Sequence, residues 1–101
     1  MTYKVKLISQ VRADLLEAKE WYQQHNATLA EDFKIAVNNE IDYISKFPNH
    51  YQIKYKDLRQ SLVIRFPYAI YYLVNEEQKL IVVLGILHTK RNPNVIKKRI
   101  I

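Results

Sequence analysis

The side chains able to do chemistry in this 101-residue chain are histidines, tyrosines, arginines, lysines and carboxylates, because the sequence contains no cysteine. His88 follows a long apolar run, and Arg65 and Arg91 lie on either side of that run. An imidazole can act as acid or base near neutral pH, and guanidinium groups can stabilise charge on a phosphate. Together with Arg59, these residues are the candidate set for binding a phosphate.

Each of these residues also has a structural interpretation. A histidine at a strand end is more often a hydrogen-bonding group than a catalyst. His25 and His50 fall in predicted turns without a companion ligand at metal-binding spacing, so the sequence predicts no metal site and no cofactor. The helix carboxylates are interpreted as solvated: Asp14, Glu17, Glu20 and Asp32.

Positive charge is concentrated in the second half of the chain. Residues 1–50 carry 6 Lys/Arg and 7 Asp/Glu, whereas residues 51–101 carry 10 and 3, so the net charge changes from −1 to +7. Such asymmetry concerns partners rather than fold, and it suits a polyanion or an acidic protein segment that folds on binding. The predicted partner-binding residues are Arg59, Arg65, Tyr68, Lys90, Arg91, Lys97, Lys98 and Arg99.

The basic C-terminal tail, residues 94–101, has three possible interpretations. Its cations could bind phosphates through counterion release, or the tail could be a solvated, frayed terminus. Its isoleucines, Ile96, Ile100 and Ile101, also suit a short amphipathic segment that lies in a partner's groove.

The first half of the chain predicts a strand followed by a helical hairpin. Alternation over residues 3–8 is typical of a half-buried strand, after which Ser9 could cap a helix. Apolar residues on one helical face predict a helix over residues 10–24, and Thr28 with Glu31 has the form of a capping box for a second helix. Pro48 ends that second helix. The helical faces comprise Val11, Leu15, Ala18 and Tyr22, then Leu29, Phe33, Val37, Ile41 and Ile44.

The second half predicts four strands, because β-branched and aromatic runs alternate with short polar segments. The runs cover residues 51–56, 59–66, 68–75 and 79–88. Short connections favour antiparallel hairpins, and the continuous apolar run 80–87 indicates a strand buried on at least one face. We therefore expect one α+β domain over residues 1–101, with a helix pair on a mostly antiparallel sheet. No segment resembles a membrane span or signal peptide, so we expect a cytoplasmic protein.

The ordered motifs resemble those of the RelE/ParE toxin superfamily. They include Trp21-Tyr22, Phe47-Pro48, Leu58-Arg59, the segment 65–72 and the segment 86–93. The resemblance implies a toxin of a type II toxin–antitoxin, or plasmid stabilisation, system that is neutralised by a cognate antitoxin. RelE-like members cut messenger RNA on the ribosome, whereas ParE-like members inhibit DNA gyrase.

Two departures favour the ParE-like branch. Where RelE-like proteins have Tyr-Arg-x-x-Tyr, this chain has Ala69 in place of the arginine, and no tyrosine follows His88. The ParE-like pattern Phe-Pro-Tyr matches the segment 66–68, and His-x-x-Arg-x-Pro matches His88, Arg91 and Pro93. We therefore expect a gyrase inhibitor without catalytic turnover. The alternatives are a metal-independent, ribosome-dependent endoribonuclease that uses His88, Arg65, Arg59 and Arg91, and an inactive homologue that only binds antitoxin.

Overall fold

The computed structural model describes residues 2–100, which form one sheet, a helical hairpin and a short third helix. In chain order the elements are β1 (Lys4–Leu7), α1 (Ser9–His25), α2 (Ala27–Lys46), β2 (Ile53–Tyr55), β3 (Leu58–Leu62), β4 (Tyr68–Asn75), β5 (Leu80–His88) and α3 (Asn94–Lys97). This α+β architecture confirms the fold class expected from the sequence.

The two helices of the hairpin are separated by a single residue, Asn26. Its side-chain oxygen accepts a hydrogen bond from the Thr28 backbone N–H at 2.9 Å, which makes Asn26 the cap of α2. The predicted capping box at Thr28 and Glu31 is therefore wrong. Ser9 is likewise the first residue of α1 and not its cap, because the N-cap position belongs to Ile8.

All five strands form one sheet in the order β1-β5-β4-β3-β2. The first strand joins the other four by pairing in parallel with β5, while the remaining pairs are antiparallel. The third strand ends at Leu62 instead of at the predicted Phe66. Arg65 adopts the left-handed conformation, with φ of 75°, in the loop that leads to β4, and a strand cannot continue through that conformation.

The helical hairpin covers one face of the sheet and α3 covers the other. Phe33 and Ile44 of α2 pack in one buried cluster with Tyr72 of the sheet. On the opposite face, Ile96 of α3 is completely buried in a second cluster with Leu87. The strand β5 contributes to both clusters, so its continuous apolar sequence correctly indicated burial.

The C-terminal segment is docked on this second face. Ile96 has no exposed surface, and Ile100 packs against the same cluster. The amphipathic pattern therefore serves the sheet of this chain itself, and the frayed-terminus interpretation is wrong for residues 94–100. Ile101, which belonged to the same predicted segment, lies outside the described residues.

Candidate functional site

A β-bulge in β5 creates unpaired backbone groups near the centre of the sheet. Tyr71 of β4 faces Gly85, whereas Tyr72 faces Val83, so Leu84 is an extra residue on the β5 side. A bulge leaves ladder groups without strand partners. Two side chains remote in sequence meet these groups: Asp14 accepts the Ile86 N–H at 3.1 Å, and Arg99 donates to the Leu84 carbonyl at 3.0 Å.

Asp14 and Arg99 also form an ion pair across the bulge. The guanidinium donates to both carboxylate oxygens, at 2.7 and 3.1 Å, and the side chains of Asp14 and Arg99 are only 5% and 13% exposed. Two-point contact of this kind is the strongest arrangement available to an arginine and a carboxylate. The interpretation of Asp14 as a solvated carboxylate is therefore wrong, and the guanidinium of Arg99 is engaged inside the molecule.

Glycine is needed at position 85 because the bulge lies directly under α3. A Cβ atom there would overlap Cδ1 of Ile96 and would lie 3.0 Å from the Arg99 guanidinium. The missing side chain lets the C-terminal segment approach the backbone closely. Gly85, Ile96 and Arg99 thus form one docking arrangement, which holds α3 on the sheet.

The carboxyl end of β5 borders a small cleft that contains part of the candidate phosphate-binding set. Tyr68, His88 and Arg91 line it with Glu17 of α1, around a volume of about 80 Å³. The rings of Tyr68 and His88 are 5.3 Å apart. Burial raises the pKa of the Tyr68 phenol, and the negative charge of nearby Glu17 adds to the effect.

His88 has a structural hydrogen bond in this cleft. Its Nδ1 atom accepts the Lys90 backbone N–H at 3.1 Å, so the neutral ring carries its proton on Nε2. An imidazole and a guanidinium at the mouth of a cleft can hold a phosphate oxygen. A complete acid–base pair for cleavage would need a second proton-transfer group, for which Tyr68 and Glu17 are the neighbouring candidates.

The other two arginines of the candidate set lie elsewhere. Arg59 donates to the Tyr51 backbone carbonyl at 2.5 Å. Arg65 lines a groove beside α2. None of the residues that line this groove also lines the His88 cleft. The structure therefore brings His88 and Arg91 together with Tyr68, and it separates them from Arg59 and Arg65.

Most of the remaining predicted partner-binding cations are exposed. Lys90, Arg91 and Lys98 face solvent. Lys97 places its ammonium 4.2 Å from the ring centre of Tyr55, and Lys56 approaches the same ring at 5.5 Å. These stacked cations connect α3 to the β2–β3 hairpin and give this edge of the sheet a basic surface.

A buried carboxylate that the sequence analysis missed lies at the groove beside α2. Glu40 is 6% exposed and accepts the Tyr51 hydroxyl at 2.6 Å. Burial, and then the hydrogen bond and charge of Glu40, raise the pKa of Tyr51 well above its usual range. The groove has a volume of about 550 Å³, and its lining includes Ile35, Ile64 and Arg65.

Helical spacing could have revealed both buried carboxylates. Phe33, Val37, Glu40 and Ile44 follow one another at steps of four, three and four residues, which places Glu40 in the middle of the buried face of α2. Asp14 falls between Val11 and Ala18 on α1 in the same way. The predicted faces instead used Leu15 and Ile41, which the structure leaves only partly buried.

The described part of the chain was searched for clustered metal ligands and for membrane-spanning helices. Within residues 2–100, no group of three or more His, Cys, Asp or Glu side chains is placed to hold a metal ion. Over the same residues, none of the helices has the length and apolar character required to cross a membrane.

A family model described as ParE toxin of type II toxin–antitoxin system, parDE, matches residues 5–93. The chain belongs to the ParE toxin family. The match covers the helical hairpin and all of the sheet except Lys4, and it ends at the residue before α3. Family membership thus confirms the superfamily and the branch that the sequence motifs favoured.

Solved structures show the same fold at low sequence identity. A chain of the chromosomal ParDE system from P. aeruginosa is 16% identical with a TM-score of 0.73, over 86% of this chain and 96% of that one. A free E. coli RelE toxin mutant is 16% identical with a TM-score of 0.66, over 100% of both chains. A chain of the Mycobacterium tuberculosis RelBE2 complex is 17% identical with a TM-score of 0.58, over 87% and 99%. No curated protein matches significantly.

Proposed function

We propose that this ParE-family protein is the toxin of a type II toxin–antitoxin pair, that it acts by binding and inhibiting DNA gyrase, and that a cognate antitoxin neutralises it. The observation that carries the proposal is the ParE family match over residues 5–93. RelE-like proteins resemble one another in having an arginine at the position that Ala69 occupies in this chain. The replacement of that arginine supports binding to a target rather than RNA cleavage.

The surface that we assign to the target is the basic one formed by Lys97 and Lys98 near the C-terminus. Lys97 and Lys98 are exposed, while Arg99 contacts Asp14 internally. The two lysines can therefore be changed without removing the Asp14–Arg99 ion pair, although a change at Lys97 also removes its contact with the Tyr55 ring. An acidic surface on the target would be complementary to these cations, and its association would weaken with salt.

A supercoiling assay with purified DNA gyrase, relaxed plasmid and ATP tests the proposal. The wild-type protein should inhibit supercoiling, and replacing both Lys97 and Lys98 by alanine should weaken inhibition by about 3- to 10-fold, as expected for exposed charges. Replacing Lys19 and Lys34 on the helical hairpin removes the same charge elsewhere and should leave inhibition unchanged. Full supercoiling at every concentration of the wild-type protein would refute the gyrase target.

A second candidate function is ribosome-dependent cleavage of messenger RNA, which the clustering of Tyr68, His88 and Arg91 around one cleft favours. A purified translation reaction with a defined messenger, read by primer extension, would then show new RNA ends that require ribosomes. His88→Ala should abolish these ends while the protein stays folded. Normal cutting by that variant would remove His88 from the mechanism.

A third possibility is an inactive homologue that retains only antitoxin binding. It differs from both toxins in its effect on cells. Induction without an antitoxin should stop growth if either toxin mechanism operates. Continued growth, with the folded protein present, would support the inactive homologue.

A further inference from the structure

The groove beside α2, here called the α2 groove, differs in charge from the rest of this basic protein. The ionisable groups that line it are Asp32, Glu40, Tyr43, Tyr51 and Arg65. By formal charge these are two acidic side chains against one guanidinium, to which the tyrosines add nothing. A protein of net charge +6 thus carries an acidic groove.

Glu40 lacks the partner that a buried carboxylate ordinarily has. Among residues 2–100 no ion pair involves Glu40, although Arg65 lines the same groove. Arg59 makes its hydrogen bond to the Tyr51 carbonyl instead. One hydrogen bond from the neutral Tyr51 hydroxyl leaves most of the acceptor capacity of a carboxylate unused, and burial without a cation is unfavourable.

Apolar side chains stand beside this carboxylate on both sides of the groove. Ile35 of α2 is 50% exposed, and Ile64 of the β3–β4 loop is 72% exposed. Ile64 precedes Arg65, whose left-handed conformation shapes the loop around the groove. Strained, non-glycine backbone of this kind concentrates at binding sites.

We propose that the α2 groove binds a segment of a partner protein in which a lysine or arginine is flanked by apolar side chains. The cation would pair with Glu40, and its apolar neighbours would cover Ile35 and Ile64. The volume of about 550 Å³ lies within the ~300–1,000 Å³ range of ligand-binding pockets. This inference goes beyond the proposed function for two reasons. It concerns a different surface from that of Lys97 and Lys98, and it requires a basic partner segment, whereas those lysines would meet an acidic one.

The proposal can be tested with a random dodecapeptide library displayed on phage and selected on the immobilised full-length protein. Peptides with Lys or Arg between apolar residues should be enriched on the wild-type protein and not on Glu40→Gln. The glutamine keeps an oxygen that can accept the Tyr51 hydroxyl, so the local hydrogen bond can persist. Enrichment of acidic peptides, or no enrichment over background, would overturn the proposal.

Binding of one enriched synthetic peptide, followed by fluorescence anisotropy, gives the quantitative test. Glu40→Gln should weaken binding by about 10- to 100-fold, since a charge-assisted hydrogen bond is lost. Asp42→Asn removes the same charge from an exposed position on α2 and should change binding by less than about 2-fold. Equal affinity for Glu40→Gln and the wild type would contradict the assignment of Glu40.

A second variant, on the rim of the groove, separates a loss of peptide binding from a folding defect in Glu40→Gln. Ile64→Ser alters a side chain that is mostly exposed, so the fold should be unaffected. It should weaken the same peptide by about 3- to 20-fold through the loss of apolar contact. Unchanged binding would show that the peptide does not lie in the α2 groove.

Discussion

Each helix of the hairpin carries one buried carboxylate, and the two have opposite surroundings. Asp14 on α1 receives two hydrogen bonds from Arg99 and one from the Ile86 N–H. Glu40 on α2 receives the Tyr51 hydroxyl, and no ion pair to it occurs among residues 2–100. The first carboxylate is therefore fully used by the fold, whereas the second keeps free acceptor capacity at a groove.

The difference separates a structural role from a binding role. A buried ion pair is strongly destabilised when one partner is removed, because the other charge is left uncompensated. A buried carboxylate without a cation gives the fold no such ion pair, so neutralising it costs little. Stability measurements on matched variants can therefore separate the two sites.

The largest effect is expected for Asp14→Ala. It leaves the Arg99 guanidinium and the Ile86 N–H without their partner and should lower the free energy of unfolding by about 3–5 kcal/mol. Urea denaturation measures this change. Glu17→Ala on the same helix, which alters an exposed carboxylate, should stay within about 0.5 kcal/mol. A loss below about 1 kcal/mol for Asp14→Ala would break the comparison.

Alkaline pH should act most strongly on the Glu40 side of the molecule. Burial raises the pKa of Tyr72 to about 12, and burial together with Glu40 raises that of Tyr51 further. Because both folded-state values exceed the ordinary phenol pKa, the protonated forms stabilise the fold fully below pH of about 10. That contribution is lost as the pH rises through the folded-state pKa values.

For Tyr72 alone, the decrease in the free energy of unfolding should reach roughly 2–3 kcal/mol. Urea denaturation from pH 9 to pH 12, with tyrosinate absorbance recorded in parallel, measures it. Tyr72→Phe removes the titrating group and should flatten part of the decline, although it also removes the hydrogen bond to the Pro48 carbonyl. Unfolding free energy that does not depend on pH above 10 would refute the interpretation.

Gly85→Ala should disturb the docking of α3 beside the Asp14 site. The added methyl group would overlap Ile96 and press against Arg99, so we expect a loss of about 1–3 kcal/mol from overpacking. Thermal unfolding with hydrogen exchange at residues 94–100 would localise the change. An unaltered melting temperature and unaltered exchange would show that the C-terminal segment adapts without cost.

The smallest effect is expected for Glu40→Gln. Because it removes a buried charge without an ion pair and retains an acceptor for Tyr51, the unfolding free energy should change by less than about 1 kcal/mol. Paired with Asp14→Asn in the same denaturation series, it gives the sharpest form of the comparison. A loss equal to that of Asp14→Asn would show that Glu40 is as structural as Asp14.

Sequence patterns predicted the helical hairpin and the strands because these depend on residues close together in the chain, and they predicted the toxin superfamily from the order of short motifs along it. The errors were local in kind. The pattern predicts a strand through Arg65, but the loop sets a left-handed conformation there, and it predicts a cap at Thr28, whereas Asn26 forms the cap. The predicted helical faces contain Leu15 and Ile41, whereas the buried faces contain their neighbours Asp14 and Glu40. This difference of one residue is why the prediction missed both buried carboxylates.

The sequence by itself determined the α+β order of elements, the buried character of β5 and the basic second half, since periodicity and composition are properties of the chain. Only the tertiary structure decided which charges are paired. Asp14 and Arg99 are 85 residues apart and meet because a bulge in β5 leaves Ile86 and Leu84 to be satisfied. The same long-range packing put Arg65 in a groove with Glu40, and apart from His88.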